Sequence, residues 1–583
     1  MNRKERRSTQ SKDRHKPVVH IHGHSYGMDE ANALAMKEHT AGNLQAAAEI
    51  YRLIITKFPG VAEVHNNLGI TLQDMRYYPE ALMAYNQAIA LKPVLAEAYN
   101  NRGVTLGDML RYAEALESYD QAIALKPDYA AAYCNRGIVL QALKRSQEAL
   151  TSYDKATMLK PDYAEAYNNR SVALQQIKLY DEAMENCERA LTIKPGYADA
   201  YNNLGIVQMN KGNTQEAEKA FRKALALRPV FTDAAYNLSN ISKYKDANHP
   251  DRQAIQAMLT RTGLSAQEKE QLLFALGKIL DDCKQYDEAF QCYQLANRIR
   301  NTTVAYSAKK ITDFVTITAE IFTPDFLSNS FGFEDKSPLF IIGMPRSGTT
   351  LMASILSSHH AVATAGELTT VTELTQRLKQ KTGSDASYPE AVKHITPALA
   401  AQMVEEYLYA LRRDTGPEPT YVIDKYPLNF MHLGLITQMF PKAHIIHCIR
   451  HPLDTGLSNY FQRFALNYDY CFDLQNIGHF YGQYMRIMDY WRTVLPIPIL
   501  DIRYEEMVGN TEPMVRKVLD YLGLEWDARC LSPHTNPYAV ETASQWQVRQ
   551  PIYKQSMQRW QHYEKQLAPL KEILERDGYL PYT

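Results

Sequence analysis

Residues 338–351 read PLFIIGMPRSGTTL, and their types and spacing suit the binding of an anion. Four apolar residues, Leu339 to Ile342, predict a short buried strand. Gly343, Met344, Pro345, Arg346, Ser347, Gly348, Thr349 and Thr350 follow, and then an apolar helical run of Leu351, Met352, Ile355 and Leu356. A strand, a glycine-flanked turn and a helix N-terminus present backbone N–H groups and the positive end of the helix dipole to one point. The spacing is that of GxxxxGK[ST], with Thr349 where nucleotide-hydrolysing loops place the lysine that reaches the β/γ-phosphates. Its absence predicts a shorter anion than a triphosphate, with Arg346 supplying positive charge from inside the loop.

Further charged groups stand just past other strand patterns. HIIHCIR ends at Arg450, and Ser458 lies eight residues on, in the next helical pattern. A guanidinium fork and a hydroxyl so placed can bracket one phosphate. Tyr421-Val-Ile-Asp424-Lys425 puts a cation at another strand end, where it can stabilise charge developing on a leaving group. Asp424 as a metal ligand fits poorly with a loop that lacks the lysine, and no metal is expected.

Together these motifs resemble sulfotransferases that use 3′-phosphoadenosine 5′-phosphosulfate (PAPS). The nearest resemblance is to the tyrosylprotein sulfotransferases and to bacterial proteins that fuse tetratricopeptide (TPR) repeats to such a domain. PRSGTT is similar to the 5′-phosphosulfate loop, which implies PAPS contacts from Pro345, Arg346, Ser347, Gly348, Thr349 and Thr350. The resemblance assigns Arg450 and Ser458 to the 3′-phosphate, and Lys425, with Arg346, to charge stabilisation during sulfuryl transfer. The acceptor hydroxyl needs a base, because a phenol has a pKa near 10. Ala365-Gly366-Glu367-Leu368 is similar to a GEE sequence whose glutamate is the base in the tyrosylprotein enzymes, although Leu368 replaces the second glutamate. Glu367 is thus the expected base, with His359 and His360 as rivals. Ile499 to Met507 resembles a strand ending in a Tyr-Glu pair, with Tyr504 near the adenine or acceptor. Thr542 to Pro551 resembles the loop that folds over the nucleotide, which would add Ser544 and Arg549 to the PAPS contacts.

The N-terminal half keeps a beat of 34. Prolines 59, 93, 127, 161, 195 and 229 are spaced by that interval. Gly69, Gly103, Gly137 and Gly205 share one phase, with Ser171 in the same column, and Ala81, Ala115, Ala149, Ala183 and Ala217 follow twelve residues later. This is the TPR pattern, in which small residues let two antiparallel helices approach and proline ends the second. A divergent copy is expected at Gly277, Tyr286, Ala289, Tyr293 and Ala296. Eight residues after each proline stands asparagine: Asn67, Asn101, Asn135, Asn169, Asn203 and Asn237. Asparagine is a mediocre helix former, so the column needs a cause. Either these amides line a groove and bind an extended peptide backbone, as the similar O-GlcNAc transferase ladder does, or they bond the neighbouring repeat. The less regular column of Asn66, Asn100, Asn168 and Asn202 is expected to face solvent.

The 583 residues carry a net charge of −1, so no general field favours nucleic acid. Seven cysteines without CxxC pairs argue against a disulfide framework or zinc site and for a reducing compartment. No apolar run approaches the ~20 residues of a membrane span. A cytoplasmic protein is expected, with five segments: a disordered basic tail over 1–27, an α-solenoid of six TPRs over 28–242, a linker and divergent TPR over 243–304, a connecting helix over 305–336, and a parallel-sheet α/β domain over 337–583. The expected function is sulfuryl transfer from PAPS to a hydroxyl, most directly that of a protein or peptide tyrosine held by the TPR groove. The alternatives are carbohydrate or small-molecule acceptors, or a non-catalytic TPR scaffold.

Overall fold

The computed structural model describes residues 17–21, 23–329, 331, 333–413, 415, 419–464, 468–535, 552 and 556–580. It divides into two compact units, Met1–Val207 and Gln208–Thr583.

The first unit is an α-solenoid of TPR helix pairs. Ala96–Asp108 pairs with Tyr112–Leu125, Ala130–Ala142 with Ser146–Leu159, and Ala164–Gln176 with Tyr180–Ile193. Each column of the repeat has a physical role. Lys92, Lys126, Lys160 and Lys194, each preceding a proline, leave the helix with φ between −132° and −140° and ψ between 83° and 88°. The proline ring forces this extended geometry on the residue before it. A Cβ on Gly69, Gly103 or Gly137 would meet the ring of Tyr85, Tyr119 or Tyr153 at 2.5–2.6 Å, so glycine is required for the helices to close. In the repeat where Ser171 replaces glycine, the facing aromatic residue becomes the smaller Cys187.

Residues 19–21 and 24–26 differ from the expected disordered tail. Strands β1 (Val19–Ile21) and β2 (His24–Tyr26) form an antiparallel hairpin. Val19 and Ile21 bury against the first helix pair, so alternating apolar residues override the basic composition of the segment before them.

The second unit contains further repeat helices and a five-stranded sheet. It includes the hairpin Ala266–Asp282 and Tyr286–Asn301 and the helix Ala308–Ile321. The unit therefore begins well before residue 337. In the sheet, β3 (Pro338–Gly343), β4 (Val362–Gly366), β5 (Tyr421–Asp424), β6 (His444–Ile449) and β7 (Ile499–Arg503) lie in the order β4-β5-β3-β6-β7, and all neighbours are parallel. Both faces are covered. Phe340, Ile342, Val422 and Ile445 pack into one core, and Leu339, Ile341, Ile423, Ile446 and Ile502 into the other. Continuous apolar strands are the consequence of this double burial. β3 sits where the strand order reverses, so its carboxyl end opens on the crevice in which parallel α/β sheets bind ligands.

Candidate functional site

The turn after β3 is built around glycine. A Cβ on Gly343 would lie 2.4 Å from the Cys448 carbonyl oxygen of β6, and one on Gly348 would lie 2.6 Å from Tyr504 Cδ2. Gly348 has φ +101° and caps the helix Thr349–Leu356. Arg346, between them, takes φ +70°, a left-handed conformation that costs a non-glycine residue about 1–2 kcal/mol. The surroundings hold it there: Arg346 Nε donates to Ser458 Oγ at 3.0 Å, and Arg450 Nη1 donates to the Arg346 carbonyl at 3.1 Å. Asn459 Nδ2 fixes the preceding carbonyl, that of Pro345, at 2.9 Å.

Arg450 follows β6 and is only 8% exposed. Its guanidinium lies 4.8 Å from the Tyr504 ring centroid, and Nη2 donates to the Ser556 carbonyl. Arg450 Nε and Ser347 Oγ are buried without a hydrogen-bond partner. Buried donors of this kind are rare in folded proteins and mark a place for a missing acceptor. Two orphaned donors beside a glycine-flanked helix N-terminus fit an anionic ligand, so the residues present suit a phosphate- or sulfate-bearing co-substrate.

On the other side of β3, the ends of β5 and β4 meet. Lys425, 3% exposed, donates from Nζ to Glu367 Oε1. Lys425 N also bonds the Gly366 carbonyl at 2.8 Å. Asp424 turns away from this pair into the core. It accepts Tyr407 OH at 2.9 Å, Asn429 Nδ2 at 3.1 Å and Leu368 N at 3.4 Å. Burial pushes its carboxyl up to about 7 despite these donors. Tyr426 and Tyr468 lie close to Glu367; burial first, and then this carboxylate, raises both phenols.

The histidines proposed as rival bases are elsewhere. His359 and His360 precede β4, at the amino ends of the parallel strands, whereas Glu367 directly follows it. His359 is engaged at both ring nitrogens, with the Glu525 carbonyl at 3.0 Å and Ala361 N at 3.1 Å. His359, His360 and Asp527 cluster closely enough to be weighed as metal ligands. Yet Asp527 already takes Arg529 and the His360 backbone, which hold its carboxyl well below the usual range.

Comparison with known proteins bears on this geometry. A model of the sulfotransferase family matches residues 338–528, and tetratricopeptide models match 62–94, 111–144, 134–198, 198–231 and 270–303. The C-terminal domain is a sulfotransferase-family domain, joined to TPR repeats. An uncharacterized protein of Aquifex aeolicus is 34% identical over 332 residues, which is 55% of this chain and 44% of that one. A Drosophila melanogaster protein-tyrosine sulfotransferase is 22% identical over 46% of this chain and 56% of its own. The Danio rerio protein-tyrosine sulfotransferase 1 is 24% identical over 46% of this chain and 79% of its own. The chain thus spans about half the length of the first two of these relatives.

The sulfotransferase domain gathers Pro345 to Thr350, Arg450 and Ser458 at one end of the sheet, with Glu367 and Lys425 at the same end. Ser544 and Arg549 lie outside the described residues. Asp454 does not pair with Arg450; its carboxylate accepts Gln558 N at 2.8 Å and Trp560 N at 2.9 Å. Sequence reading overlooked β4, whose VATAG lacks an apolar run, and the supporting Asn459 and Tyr407.

In the TPR unit, the asparagine columns interlock. Asn101 Nδ2 donates to Asn66 Oδ1 and Asn135 Nδ2 to Asn100 Oδ1, both at 3.1 Å, and Asn203 Nδ2 donates to Asn168 Oδ1 at 2.9 Å. Asn169 reaches Cys134 Sγ at 3.7 Å, and Asn67 reaches Asn32 Oδ1 at 3.4 Å. The second column is therefore not solvent-facing as expected: Asn66, Asn100, Asn168 and Asn202 are all buried. They are buried because three of them, Asn66, Asn100 and Asn168, accept the amide of the following repeat, a partner that a single repeat cannot reveal. The first column, Asn67 to Asn237, is half-buried.

Proposed function

We propose that the protein transfers a sulfuryl group from PAPS to the hydroxyl of a protein tyrosine. The observation that carries this reading is the convergence of an anion cradle with orphaned donors and a lysine–glutamate pair on the same end of one parallel sheet. In this reading Ser347, Gly348, Thr349, Thr350 and Arg346 hold the 5′-phosphosulfate, and Arg450 and Ser458 take the 3′-phosphate. Ser544 and Arg549 would add contacts from the segment beyond Thr535.

Glu367 accepts the acceptor's proton as its oxygen forms the new O–S bond. The S–O bond to the 5′-phosphate breaks, and the electron pair leaves on 3′-phosphoadenosine 5′-phosphate (PAP). Lys425 and the loop N–H groups stabilise the charge that this product gains. In the resting pair Lys425 holds the Glu367 carboxylate in place by its hydrogen bond to Oε1. No step needs a metal. The distant protein-tyrosine sulfotransferase relatives, and Tyr426 and Tyr468 close to Glu367, support a tyrosine acceptor. The TPR array supplies a surface for the protein that carries it.

Calorimetric titration of the full chain with PAP in EDTA tests the nucleotide site. Micromolar binding supports it and leads to a screen of tyrosine peptides with labelled PAPS. A folded sample that does not bind overturns the reading and leaves a TPR interaction protein. Binding of PAP with label transferred only to sugars would replace the acceptor class.

A further inference from the structure

We infer that Asp281, on the last TPR-like hairpin, is a positioning residue for Arg450 and so for the 3′-phosphate half of the co-substrate site. The inference rests on the nucleotide reading above.

The hairpin Ala266–Asp282 and Tyr286–Asn301 packs against the elements that carry this half-site. Tyr293 stacks on Phe461 with ring centroids 3.9 Å apart, and Phe290 stacks on Tyr460 at 5.6 Å. The fully buried Asn297 donates from Nδ2 to the Tyr460 carbonyl at 2.8 Å. Tyr460 is the last residue of the helix Pro452–Tyr460 that bears Ser458. Tyr286 stacks on His562 at 4.4 Å, within 5° of parallel.

Among the described residues, two charged contacts cross this interface: Glu270 meets Arg463 Nε at 3.5 Å, and Asp281 meets the turn at 558–560. The Asp281 carboxylate accepts Arg559 Nη2 on one oxygen and Tyr563 OH on the other. Arg559 immediately follows Gln558, whose φ of +58° is left-handed for a non-glycine residue. Such a conformation persists only where neighbours over-determine it. Here they do so from two sides. Asp454 binds the Gln558 and Trp560 amides from below, and the Trp560 ring lies parallel to His451 with centroids 5.2 Å apart. Asp281 holds the Arg559 side chain from the repeat side.

The turn so fixed reaches the site at Ser556. Its carbonyl accepts Arg450 Nη2, and its hydroxyl pairs with Tyr504 OH at 2.6 Å. Tyr504 is the ring over which the Arg450 guanidinium lies. One side of Arg450 is thereby occupied by the turn and one face by the ring, which leaves the buried Nε without a partner. Without Asp281, Arg559 would be a largely buried cation with its neutralising carboxylate removed, and the turn would shift to resolvate it. Arg450 would then lose a fixed acceptor and its aim.

The test compares two ligands that differ only in the 3′-phosphate, PAP and adenosine 5′-monophosphate, by titration of full-length protein in EDTA. Asp281→Ala is expected to weaken PAP binding about tenfold while changing the monophosphate less than twofold. Asp281→Asn, which keeps the shape and one acceptor, is expected to fall between. In an Arg450→Ala background, Asp281→Ala is expected to have no further effect on PAP. Equal losses for both ligands, or additive losses in the double variant, would show that Asp281 only stabilises the fold and would overturn the inference. Should Asp281→Ala fail to fold, Asp281→Asn and Tyr563→Phe carry the same comparison. Failure of the unsubstituted protein to bind PAP would instead remove the nucleotide reading itself.

Discussion

Lys425 Nζ donates to Glu367 Oε1, tying the carboxyl end of β5 to that of β4 across 58 residues of sequence. The lysine is almost fully buried and the glutamate side chain about one-third exposed, so the carboxylate is the partner that an incoming hydroxyl can reach. Glu367→Gln is expected to lower kcat by about 10²–10⁴, the range of a lost general base, with PAP affinity unchanged. Single-turnover transfer to a tyrosine peptide, alongside titration with PAP, measures both. An unchanged kcat would place the base elsewhere.

Arg346 combines a required side chain with a strained backbone. Arg346→Ala and Arg346→Gly are both expected to abolish PAP binding, because either removes the guanidinium. Glycine, however, takes φ +70° without steric cost, so the glycine variant should melt above the alanine variant by an amount corresponding to ~1 kcal/mol. Differential scanning calorimetry of the two checks this; an alanine variant that melts higher would contradict the backbone assignment.

Asp424 should make stability depend on pH. Its carboxyl is raised to about 7 in the fold from 3.8, chiefly by burial. A group raised in this way stays protonated in the native state while the unfolded chain ionises, so its contribution is full below about pH 4 and is lost as pH rises to about 7. Asp424→Asn has no such loss. The melting temperature of the unsubstituted protein relative to Asp424→Asn is therefore expected to fall between pH 4 and 7 and to level off above. A flat difference across that window would show that the donors keep Asp424 ionised throughout.

The interlocked asparagines predict a stability cost. Changing Asn101 and Asn135 to Ala leaves the buried Asn66 and Asn100 carbonyl oxygens without their donors, at about 1–3 kcal/mol each. Thermal melting of the double variant should drop clearly. Unchanged melting with weakened peptide binding would return the column to the role of a peptide ladder.

The Gly103–Tyr119 contact can be tested by copying another repeat. Gly103→Ser should destabilise by about 1–3 kcal/mol, because the added side chain enters the Tyr119 ring. Adding Tyr119→Cys, which reproduces the Ser171–Cys187 pair, should recover part of that loss in a melting experiment. Strict additivity of the two losses would refute the pairing.

The sequence by itself determined the periodic and local parts of this protein. The 34-residue spacing placed every helix pair from Ala96 to Ile193, because burial of one helix face recurs in phase with the prolines that end each pair. The run PLFIIGMPRSGTTL placed β3, its turn and its helix, because glycine conformation and apolar burial are written within a dozen residues. Arg450 and Lys425 were visible as charges at the ends of apolar strands.

Tertiary structure decided what depends on a distant partner. β4 formed from small residues because β5 offered a parallel edge, not because VATAG declares a strand. Asn66 and Asn100 became buried acceptors only once the next repeat stacked on them. Asp424 and Lys425, adjacent in sequence, took opposite roles because alternation along and beyond β5 sends one into the core and the other toward Glu367. Asp281 and Arg559 met across 278 residues. Periodicity records which face of an element is buried, but not which charge will lie against it, and that choice belongs to the packed chain.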